Sequence, residues 1–289
     1  MIFDVCILGK GPAGLSAGIY AVRAGAKTLV IGGNDGALSL AKRIDNYFGI
    51  PTIGGRELLE AGEAQYVSLG GETLNAEVTA VEMAPEGFLL HTAEESVEAH
   101  AIVIATGKGR KRAGLPGEDE FLGRGVSHCA VCDGFFFKKK RVGVLGSGAY
   151  AASEARQLLA FTPDVTVFTD GREPEVEMPC EVQTAKLSAV TGEARLSGVT
   201  AADGQTFPLD GFFIARGTAG ASDLCLKLGV PTDNGCIRVD KDGMTALPGV
   251  FAAGDCLGGL CQVSVSVGTG ALAGQRASEY ARRKKEVHA

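Results

Sequence analysis

Runs of apolar residues separated by glycine-rich turns mark the start of the chain. Residues 3–8 are almost continuously apolar, which predicts a buried strand. The turn Gly9-Lys10-Gly11-Pro12-Ala13-Gly14 follows, and a helical stretch then extends to about Ala24. A second apolar strand is predicted from Lys27 to Ile31. The order of strand, turn, helix and strand predicts a βαβ unit.

The same pattern returns in the middle of the chain. Residues 142–145 are followed by the turn Gly146-Ser147-Gly148, a helix to about Ala160 and a strand at residues 165–168. Short alternating segments between the two units are typical of a β-meander. The pattern predicts an α/β protein with two tandem Rossmann-like, three-layer ββα dinucleotide-binding domains, the second inserted into the first. The predicted first domain comprises residues 1–110 and 245–289, and the inserted domain comprises residues 111–244.

Length and charge narrow the class of protein. The chain has 289 residues, which suits two domains, and a net charge of −6, which disfavours nucleic acid as the main partner. No apolar run reaches the length of a membrane span, and no secretory signal precedes the first strand. We therefore expect a cytoplasmic protein with no membrane partner.

In the first turn, the glycines have the spacing of a dinucleotide cradle. Gly9 permits the tight turn, Gly11 lets a pyrophosphate approach the backbone, and Gly14 lets the helix pack closely on the strand. A carboxylate for the ribose is expected about 20 residues further on. Asp35 is the nearby candidate, slightly late in the chain. The predicted cofactor-binding residues of this turn are Gly9, Gly11, Pro12, Ala13, Gly14 and Asp35.

Two pairs of cysteines are closely spaced, Cys129 with Cys132 and Cys256 with Cys261. A turn at a helix start brings two cysteines with the first spacing within bonding reach, and the positive helix end favours a thiolate. Cys129 and Cys132 are therefore predicted to form a reversible redox disulfide, with Asp133 placed to donate or accept the proton during exchange. A zinc site built from all four cysteines is disfavoured, because the second pair has a wider spacing and lies in the other predicted domain.

Further motifs follow one another in a fixed order. They are Asp45-Asn46-Tyr47-Phe48-Gly49, Ala105-Thr106-Gly107, Gly114-Leu115-Pro116-Gly117-Glu118, Cys129-Ala130-Val131-Cys132-Asp133-Gly134-Phe135-Phe136 and residues 249–255. Together with the first turn, they resemble the low-molecular-weight thioredoxin reductases over nearly the whole chain. The resemblance implies a homodimeric flavoprotein, in which an FAD domain is interrupted by a smaller pyridine-nucleotide-type domain that carries the disulfide.

The resemblance also implies roles for individual residues. Cys132 would face the flavin, Cys129 would attack the disulfide of thioredoxin, and the inserted domain would rotate between the two tasks. The residues that the resemblance places around FAD are Asn46, Thr106, Gly107, Gly254, Asp255, Gln262 and Val263.

The second turn departs from a nucleotide site. Tyr150 introduces a bulky side chain where backbone should face a pyrophosphate. After the second strand, residues 168–177 contain four carboxylates beside one arginine, which would repel the 2′-phosphate of NADPH. Asp170 could instead hold the ribose hydroxyls of NAD. We expect the inserted domain to have lost its nucleotide.

These losses make the chain most similar to the pyridine-nucleotide-independent, ferredoxin-dependent flavin thioredoxin reductases. Ferredoxins are acidic, so the docking site should be locally basic. The candidate clusters are Lys108 with Arg110-Lys111-Arg112 (the favoured one), Lys138-Lys139-Lys140-Arg141 and Arg282-Arg283-Lys284-Lys285. The predicted function is electron transfer from reduced ferredoxin through FAD and the disulfide to thioredoxin. The alternatives are an NADH- or NADPH-dependent thioredoxin reductase and an FAD-dependent dithiol oxidase that uses oxygen.

Overall fold

The computed structural model describes residues 2–33, 36–107, 113–217 and 220–288. Its contacts divide the chain into two compact units. The first unit comprises Met1–Arg110 and Gly220–Ala289, and the inserted unit comprises Lys111–Ala219. The inserted unit is therefore one continuous segment that interrupts the first.

The helices and strands alternate along much of the chain. The α-helices are α1 Pro12–Arg23, α2 Gly55–Ser68, α3 Ala130–Asp133, α4 Ala149–Leu159, α5 Ala221–Lys227 and α6 Val263–His288. Short 3₁₀ helices span Ala37–Leu40, Gly134–Phe137 and Gly254–Leu257. The strands are β1 Ile2–Leu8, β2 Thr28–Ile31, β3 Glu72–Leu74, β4 Ala80–Ala84, β5 Gly87–His91, β6 Ser96–Ile104, β7 Val126–Ser127, β8 Val142–Leu145, β9 Val165–Phe168, β10 Glu181–Gln183, β11 Leu187–Gly192, β12 Leu196–Ala201, β13 Thr206–Pro208, β14 Gly211–Ile214, β15 Thr232–Asp233, β16 Cys236–Ile237 and β17 Val250–Ala252.

A mainly parallel sheet forms the centre of the first unit. Its strand order is β3-β2-β1-β6-β5-β4. Strand β1 pairs in parallel with β2 and β6, with Val5 opposite Thr28 and Ala101. Strands β4 and β5 extend the sheet as an antiparallel meander, and β17 pairs with the end of β6. The carboxyl ends of β1, β6 and β17 consequently meet at one edge, where ligands bind in sheets of this type.

Helices α1 and α6 pack against each other with little space between their backbones. A Cβ added at Gly270 would lie 2.2 Å from the carbonyl oxygen of Ala13, and one at Gly274 would lie 2.1 Å from that of Ala17. Both distances are far below van der Waals contact, so larger residues would separate the helices. The last helix is therefore held against the helix that follows the first cradle.

The inserted unit repeats the plan on a smaller scale. Its parallel sheet has the order β10-β9-β8-β14-β7, and β11, β12 and β13 form a separate antiparallel sheet. Leu145, Phe168 and Phe212 are fully buried in its core, where apolar burial stabilises the fold. The predicted α/β class with two Rossmann-like units is confirmed.

The chain returns to the first unit at Gly220, which is earlier than the predicted border between residues 244 and 245. Residues 220–244 group with the first unit by contact. Helix α5 lies against β4, and the ammonium group of Lys227 donates a hydrogen bond to the carbonyl oxygen of Thr79 at 3.1 Å. A short amphipathic helix can pack on either sheet, so the local sequence pattern does not identify its partner. Among the described residues, no helix combines the length and apolar character needed to span a membrane.

Tyr66 ties α2 to the sheet of the first unit. Its ring is fully buried, and its hydroxyl lies 2.8 Å from the carbonyl oxygen of Thr28 and 3.0 Å from that of Glu72. Burial raises the pKa of this hydroxyl, which therefore stays protonated and able to donate. The hydroxyl thus links the second and third strands of the sheet.

Replacing Tyr66 by Phe should lower the free energy of unfolding of the first unit by about 1–2 kcal/mol, because buried carbonyl oxygens lose their donor. Urea unfolding followed by circular dichroism measures the change. Tyr20→Phe is the matched control, since Tyr20 is 46% exposed, and its effect should stay within about 0.5 kcal/mol. Equal effects of the two substitutions would contradict the prediction.

Candidate active site

A disulfide joins Cys129 and Cys132 in the inserted unit. Strand β7 ends two residues before Cys129, which forms the N-cap of α3. The backbone N–H of Cys132 donates a hydrogen bond to Sγ of Cys129 at 3.2 Å. This helix start therefore positions both sulfur atoms and provides a donor that favours the thiolate of Cys129 once the disulfide is reduced.

The two cysteines differ in their exposure to solvent. Cys129 is only 3% exposed, whereas Cys132 is exposed. An external disulfide therefore reaches Cys132 more easily than Cys129. This difference favours Cys132 for the attack on a partner, the opposite of the order implied by the family resemblance.

Several residues close to Cys132 in the sequence have exposed apolar side chains. Val131 is 53% exposed, and Phe135 and Phe136 are 66% and 67% exposed. The rings of the two phenylalanines meet edge to face. Neighbouring exposed apolar side chains are typical of protein docking surfaces.

Ser127 connects Asp133 to the cysteine pair. Its hydroxyl donates a hydrogen bond to Oδ2 of Asp133 at 2.6 Å and accepts one from the backbone N–H of Cys129 at 3.1 Å. Asp133 was predicted from the sequence, whereas Ser127 was not. The signal was available, because a serine two residues before the first cysteine can accept from that cysteine's backbone.

Glu154 is a second residue of the site that was not predicted from the sequence. It lies on α4 and is only 1% exposed, and its Oε2 accepts a hydrogen bond from the backbone N–H of Ala130 at 2.8 Å. The carboxylate therefore fixes the first residue of α3, directly after Cys129. A single acidic residue among alanines of a predicted core-facing helix was the signal that could have identified it.

The first cradle has the close backbone packing of a dinucleotide-binding turn. A Cβ added at Gly14 would lie 1.8 Å from the carbonyl oxygen of Gly9, so this position requires glycine. By contrast, a Cβ at Gly11 would meet no described atom within 4 Å. Helix α1 begins at Pro12, and no side chain caps its N-terminus. The turn thus leaves open space beside unpaired N–H groups, which fits the pyrophosphate of FAD.

Other predicted cofactor residues meet near this cradle. A Cβ added at Gly254 would lie 2.8 Å from the Cβ of Ala13. A Cβ added at Gly9 would lie 2.3 Å from the carbonyl oxygen of Ala105, the residue before Thr106 and Gly107. The carboxylate of Asp255 accepts a hydrogen bond from Ser266 at 3.1 Å.

A side-chain hydrogen bond joins two distant predicted FAD residues. The amide nitrogen of Asn46 donates to the amide oxygen of Gln262 at 2.9 Å, although 216 positions separate them in the chain. Val263 follows as the first residue of α6. Asp35, the predicted ribose partner, lies outside the described residues.

In the inserted unit, the candidate ribose carboxylate is already bound by protein groups. Oδ2 of Asp170 accepts hydrogen bonds from Lys186 at 3.0 Å and from Arg216 at 2.9 Å. Its Oδ1 accepts from the backbone N–H of Leu187 at 3.0 Å. The side chain is 4% exposed, so both oxygens are committed inside the protein.

Tyr150 does not face the second cradle as the sequence suggested. It is 2% exposed, and its hydroxyl lies 3.5 Å from the carbonyl oxygen of His128. The side chain extends from the buried face of α4 toward the segment that carries the disulfide. The expectation was wrong because position within the turn does not specify which face of the helix a side chain occupies.

The cavity beside the second cradle is small. Its volume is about 30 Å³, and its lining includes Gly146, Gly148, Asp170 and Arg216.

The cysteines outside the disulfide include several buried thiols. Burial raises the pKa of Cys225 and of Cys256 to about 12, so both remain protonated near neutral pH. Such thiols react slowly with disulfides, because the thiolate is the nucleophile. No group of three or more His, Cys, Asp or Glu side chains in the described part of the chain could hold a metal ion.

Comparisons with known proteins agree with this arrangement. Residues 3–270 match the model of the pyridine nucleotide-disulphide oxidoreductase family. A protein of Listeria monocytogenes named thioredoxin reductase is 33% identical over an alignment of 305 residues. The alignment covers 99% of this chain and 96% of the relative.

Two solved structures are also similar to the chain. The atypical thioredoxin reductase TRi from Desulfovibrio vulgaris Hildenborough has a TM-score of 0.91 and 39% identity, covering 97% of this chain and 98% of its own. A ferredoxin-flavin thioredoxin reductase from Clostridium acetobutylicum has a TM-score of 0.74 and 30% identity, covering 96% and 97%. Of these two, the atypical enzyme is the more similar.

Thioredoxin reductases of this family bind FAD, and the first cradle fits that cofactor. The family model covers most of the chain, and a named relative aligns over almost its full length. The chain therefore belongs to the pyridine nucleotide-disulphide oxidoreductases, as a flavoprotein of the thioredoxin reductase type.

Proposed function

We propose that the protein reduces thioredoxin with electrons that FAD receives from reduced ferredoxin, without a pyridine nucleotide. The observation that carries this proposal is the bonding of Asp170 in the inserted unit. A carboxylate at this place would bind the ribose hydroxyls of NAD. Here its two oxygens accept hydrogen bonds from Lys186, Arg216 and the backbone of Leu187.

Breaking these bonds to admit a nucleotide would be unfavourable. Asp170 is buried, and a buried carboxylate that loses its partners has a high free-energy cost. Arg216 is also held by a second bond, which it donates to the carbonyl oxygen of Ala113 at 2.8 Å. The bonding therefore supports a donor that does not need this site.

Two observations support a ferredoxin as that donor. One of the similar solved structures is named a ferredoxin-flavin thioredoxin reductase. The basic cluster Lys138-Lys139-Lys140-Arg141 is exposed, as a surface that attracts an acidic protein should be. The favoured cluster at residues 108–112 lies outside the described residues.

The exposed face beside the disulfide supports a protein as the electron acceptor. Val131, Phe135 and Phe136 offer apolar contact area close in sequence to the exposed Cys132. The relatives named thioredoxin reductase point to thioredoxin as that protein. We therefore assign thioredoxin as the partner that docks on this face.

FAD, when bound, supplies a group that exchanges either one or two electrons and so connects a one-electron donor to a dithiol. Gly9, Gly11 and Gly14 of the first unit would lie against its pyrophosphate, and Asp255 and the Asn46–Gln262 pair would help to hold it. These assignments rest on the open space at Gly11 and on the convergence of the predicted residues around it.

The exchange step begins at Cys132, because this cysteine is the exposed one of the pair. The thiolate of Cys132 attacks one sulfur of the thioredoxin disulfide, forming a mixed disulfide and releasing one thioredoxin thiolate. Asp133 accepts the proton of the Cys132 thiol as this thiolate forms and then passes the same proton to the leaving thioredoxin thiolate. Cys129 then attacks Sγ of Cys132, which restores the Cys129–Cys132 disulfide and releases the second thioredoxin sulfur as a thiol after protonation. Two electrons pass to thioredoxin in all.

An NADH- or NADPH-dependent thioredoxin reductase is the second candidate. The matching family is described by its pyridine nucleotides, and the Listeria relative is named simply thioredoxin reductase. The predicted homodimer and the cytoplasmic location remain predictions under either candidate.

Anaerobic mixing of the FAD-loaded protein with each donor distinguishes the candidates. Reduced ferredoxin should bleach the visible flavin absorbance rapidly, whereas NADPH and NADH should bleach it at least about 100-fold more slowly, because the ribose carboxylate is occupied. Rapid bleaching by either nucleotide would contradict the proposal. Oxygen uptake with small dithiols in the absence of thioredoxin would instead favour the dithiol oxidase.

The order of attack is tested by a matched pair of variants. Cys129→Ser should trap thioredoxin in a stable mixed disulfide through Cys132, because the resolving thiol is missing. Cys132→Ser should trap little, since the remaining Cys129 is buried. Mass spectrometry of the two reactions gives the yields. A higher yield from Cys132→Ser would restore Cys129 as the attacking thiol.

Removing the carboxylate beside the pair should slow exchange. Asp133→Asn is expected to reduce the rate of thioredoxin reduction by about 100-fold, because the leaving thiolate loses its proton donor. Stopped-flow measurement with the prereduced enzyme isolates this step from flavin reduction. Asp164→Asn removes an exposed carboxylate of the same unit and should leave the rate unchanged. A rate for Asp133→Asn equal to that of this control would exclude Asp133 as the acid.

A further inference from the structure

The second cradle contains the same helix start as the first. Strand β8 leads through Gly146-Ser147-Gly148 into α4, and Gly148 is the N-cap with extended backbone and no side-chain capping bond. The first N–H groups of an α-helix have no acceptor within the helix, and the aligned peptide dipoles make this end positive. Such an end favours a negatively charged group.

In this unit, the negatively charged group comes from the chain itself. Oε1 of Glu175 accepts a hydrogen bond from the hydroxyl of Ser147 at 2.7 Å. The backbone N–H of Glu175 donates to the carbonyl oxygen of Ser147 at 2.8 Å. Oε2 of Glu175 lies 3.0 Å from the position that a Cβ at Gly148 would take. The carboxylate therefore lies directly over the middle of the glycine-rich turn.

The first cradle provides the internal comparison. The corresponding space over Gly11 contains no described atom within 4 Å of an added Cβ, whereas the space over Gly148 contains a carboxylate oxygen. The two turns share their motif and their place between strand and helix. They differ in that an anionic side chain, exposed on its outer side, lies over the second turn.

The corner after β9 explains how Glu175 reaches the turn. Asp170 adopts a left-handed backbone conformation with φ of 55°, and its bonds to Lys186 and Arg216 hold it there. The hydroxyl of Thr169 donates to the carbonyl oxygen of Arg172 at 2.6 Å, which closes the reversal. The chain is thereby directed back over the cradle within a few residues.

We propose that Glu175 takes the place of a nucleotide phosphate at the second cradle and so excludes pyridine nucleotides from the inserted unit. This inference rests on the proposed nucleotide independence and names the residue that enforces it. A pyrophosphate entering the turn would have to displace the carboxylate from Ser147 or lie beside its charge. Either arrangement weakens binding.

Inorganic pyrophosphate is the suitable probe, because it tests the turn without needing the ribose contact that Asp170 no longer offers. The FAD-loaded protein is titrated with pyrophosphate by isothermal titration calorimetry at constant ionic strength, so that the first cradle is already filled. Glu175→Ala should bind pyrophosphate at least about tenfold more tightly than the wild-type protein.

Two further variants make this result specific. Glu175→Gln keeps the size of the side chain and removes its charge, and its affinity should lie between those of the wild-type protein and Glu175→Ala. Glu173→Ala removes one charge from an exposed neighbour on the same segment and should match the wild-type protein. If Glu175→Ala does not fold, Glu175→Gln decides the question alone.

Unchanged pyrophosphate affinity in the folded Glu175 variants would overturn the inference. An equal gain in Glu173→Ala would overturn it as well, because the effect would then reflect net charge and not occupation of the turn. Rapid flavin bleaching of the wild-type protein by NADPH would defeat the proposed function and the exclusion together. Slow bleaching with unchanged pyrophosphate affinity in the variants would defeat the role of Glu175 alone, so the two failures are distinguishable.

Discussion

Unpaired N–H groups at the start of a helix require an acceptor, and this requirement shapes both units of the protein. In each unit such a helix begins directly after a glycine-rich turn, where the backbone can approach a ligand closely. In the first unit the space over the turn is open, and the cofactor of the family fits it. In the inserted unit a carboxylate of the same chain occupies the corresponding space. The same local motif therefore leaves space for a cofactor in the first unit and is covered by a side chain of the protein in the inserted unit.

The redox pair depends on a third helix start. Cys129 caps α3, and its sulfur accepts the N–H of Cys132, so the backbone supports the thiolate directly. Ser127 accepts the backbone N–H of Cys129 itself, and Glu154 accepts that of Ala130, the residue after it. The reactive geometry is consequently fixed by backbone hydrogen bonds and two buried polar side chains, while the face around Cys132 stays available to a partner.

The sequence predicted the architecture well because its signals are local. Apolar runs followed by glycine turns identify βαβ units, and the structure confirms two of them. The cysteine spacing likewise indicated a disulfide, which the structure contains. These features depend on residues within a few positions of one another.

Features that depend on tertiary contacts were not predictable in this way. Asp170 is bound by Arg216, which follows β14, and by Lys186, which precedes β11. No local sequence pattern connects these residues. The direction of Tyr150 depended on which face of α4 is buried. The assignment of α5 to the first unit depended on which sheet the helix packs against. Each of these required knowledge of how distant segments pack.

The discontinuity of the first unit has a consequence for biosynthesis. Its helices α1 and α6 lie on either side of the inserted segment in the sequence and pack against each other, so this unit is incomplete until α6 has been synthesised. The inserted unit is a single segment and is complete well before then. Because domains fold as units during translation, the cysteine pair is assembled earlier than the cradle for FAD. Until that cradle is complete, no bound FAD can exchange electrons with the pair.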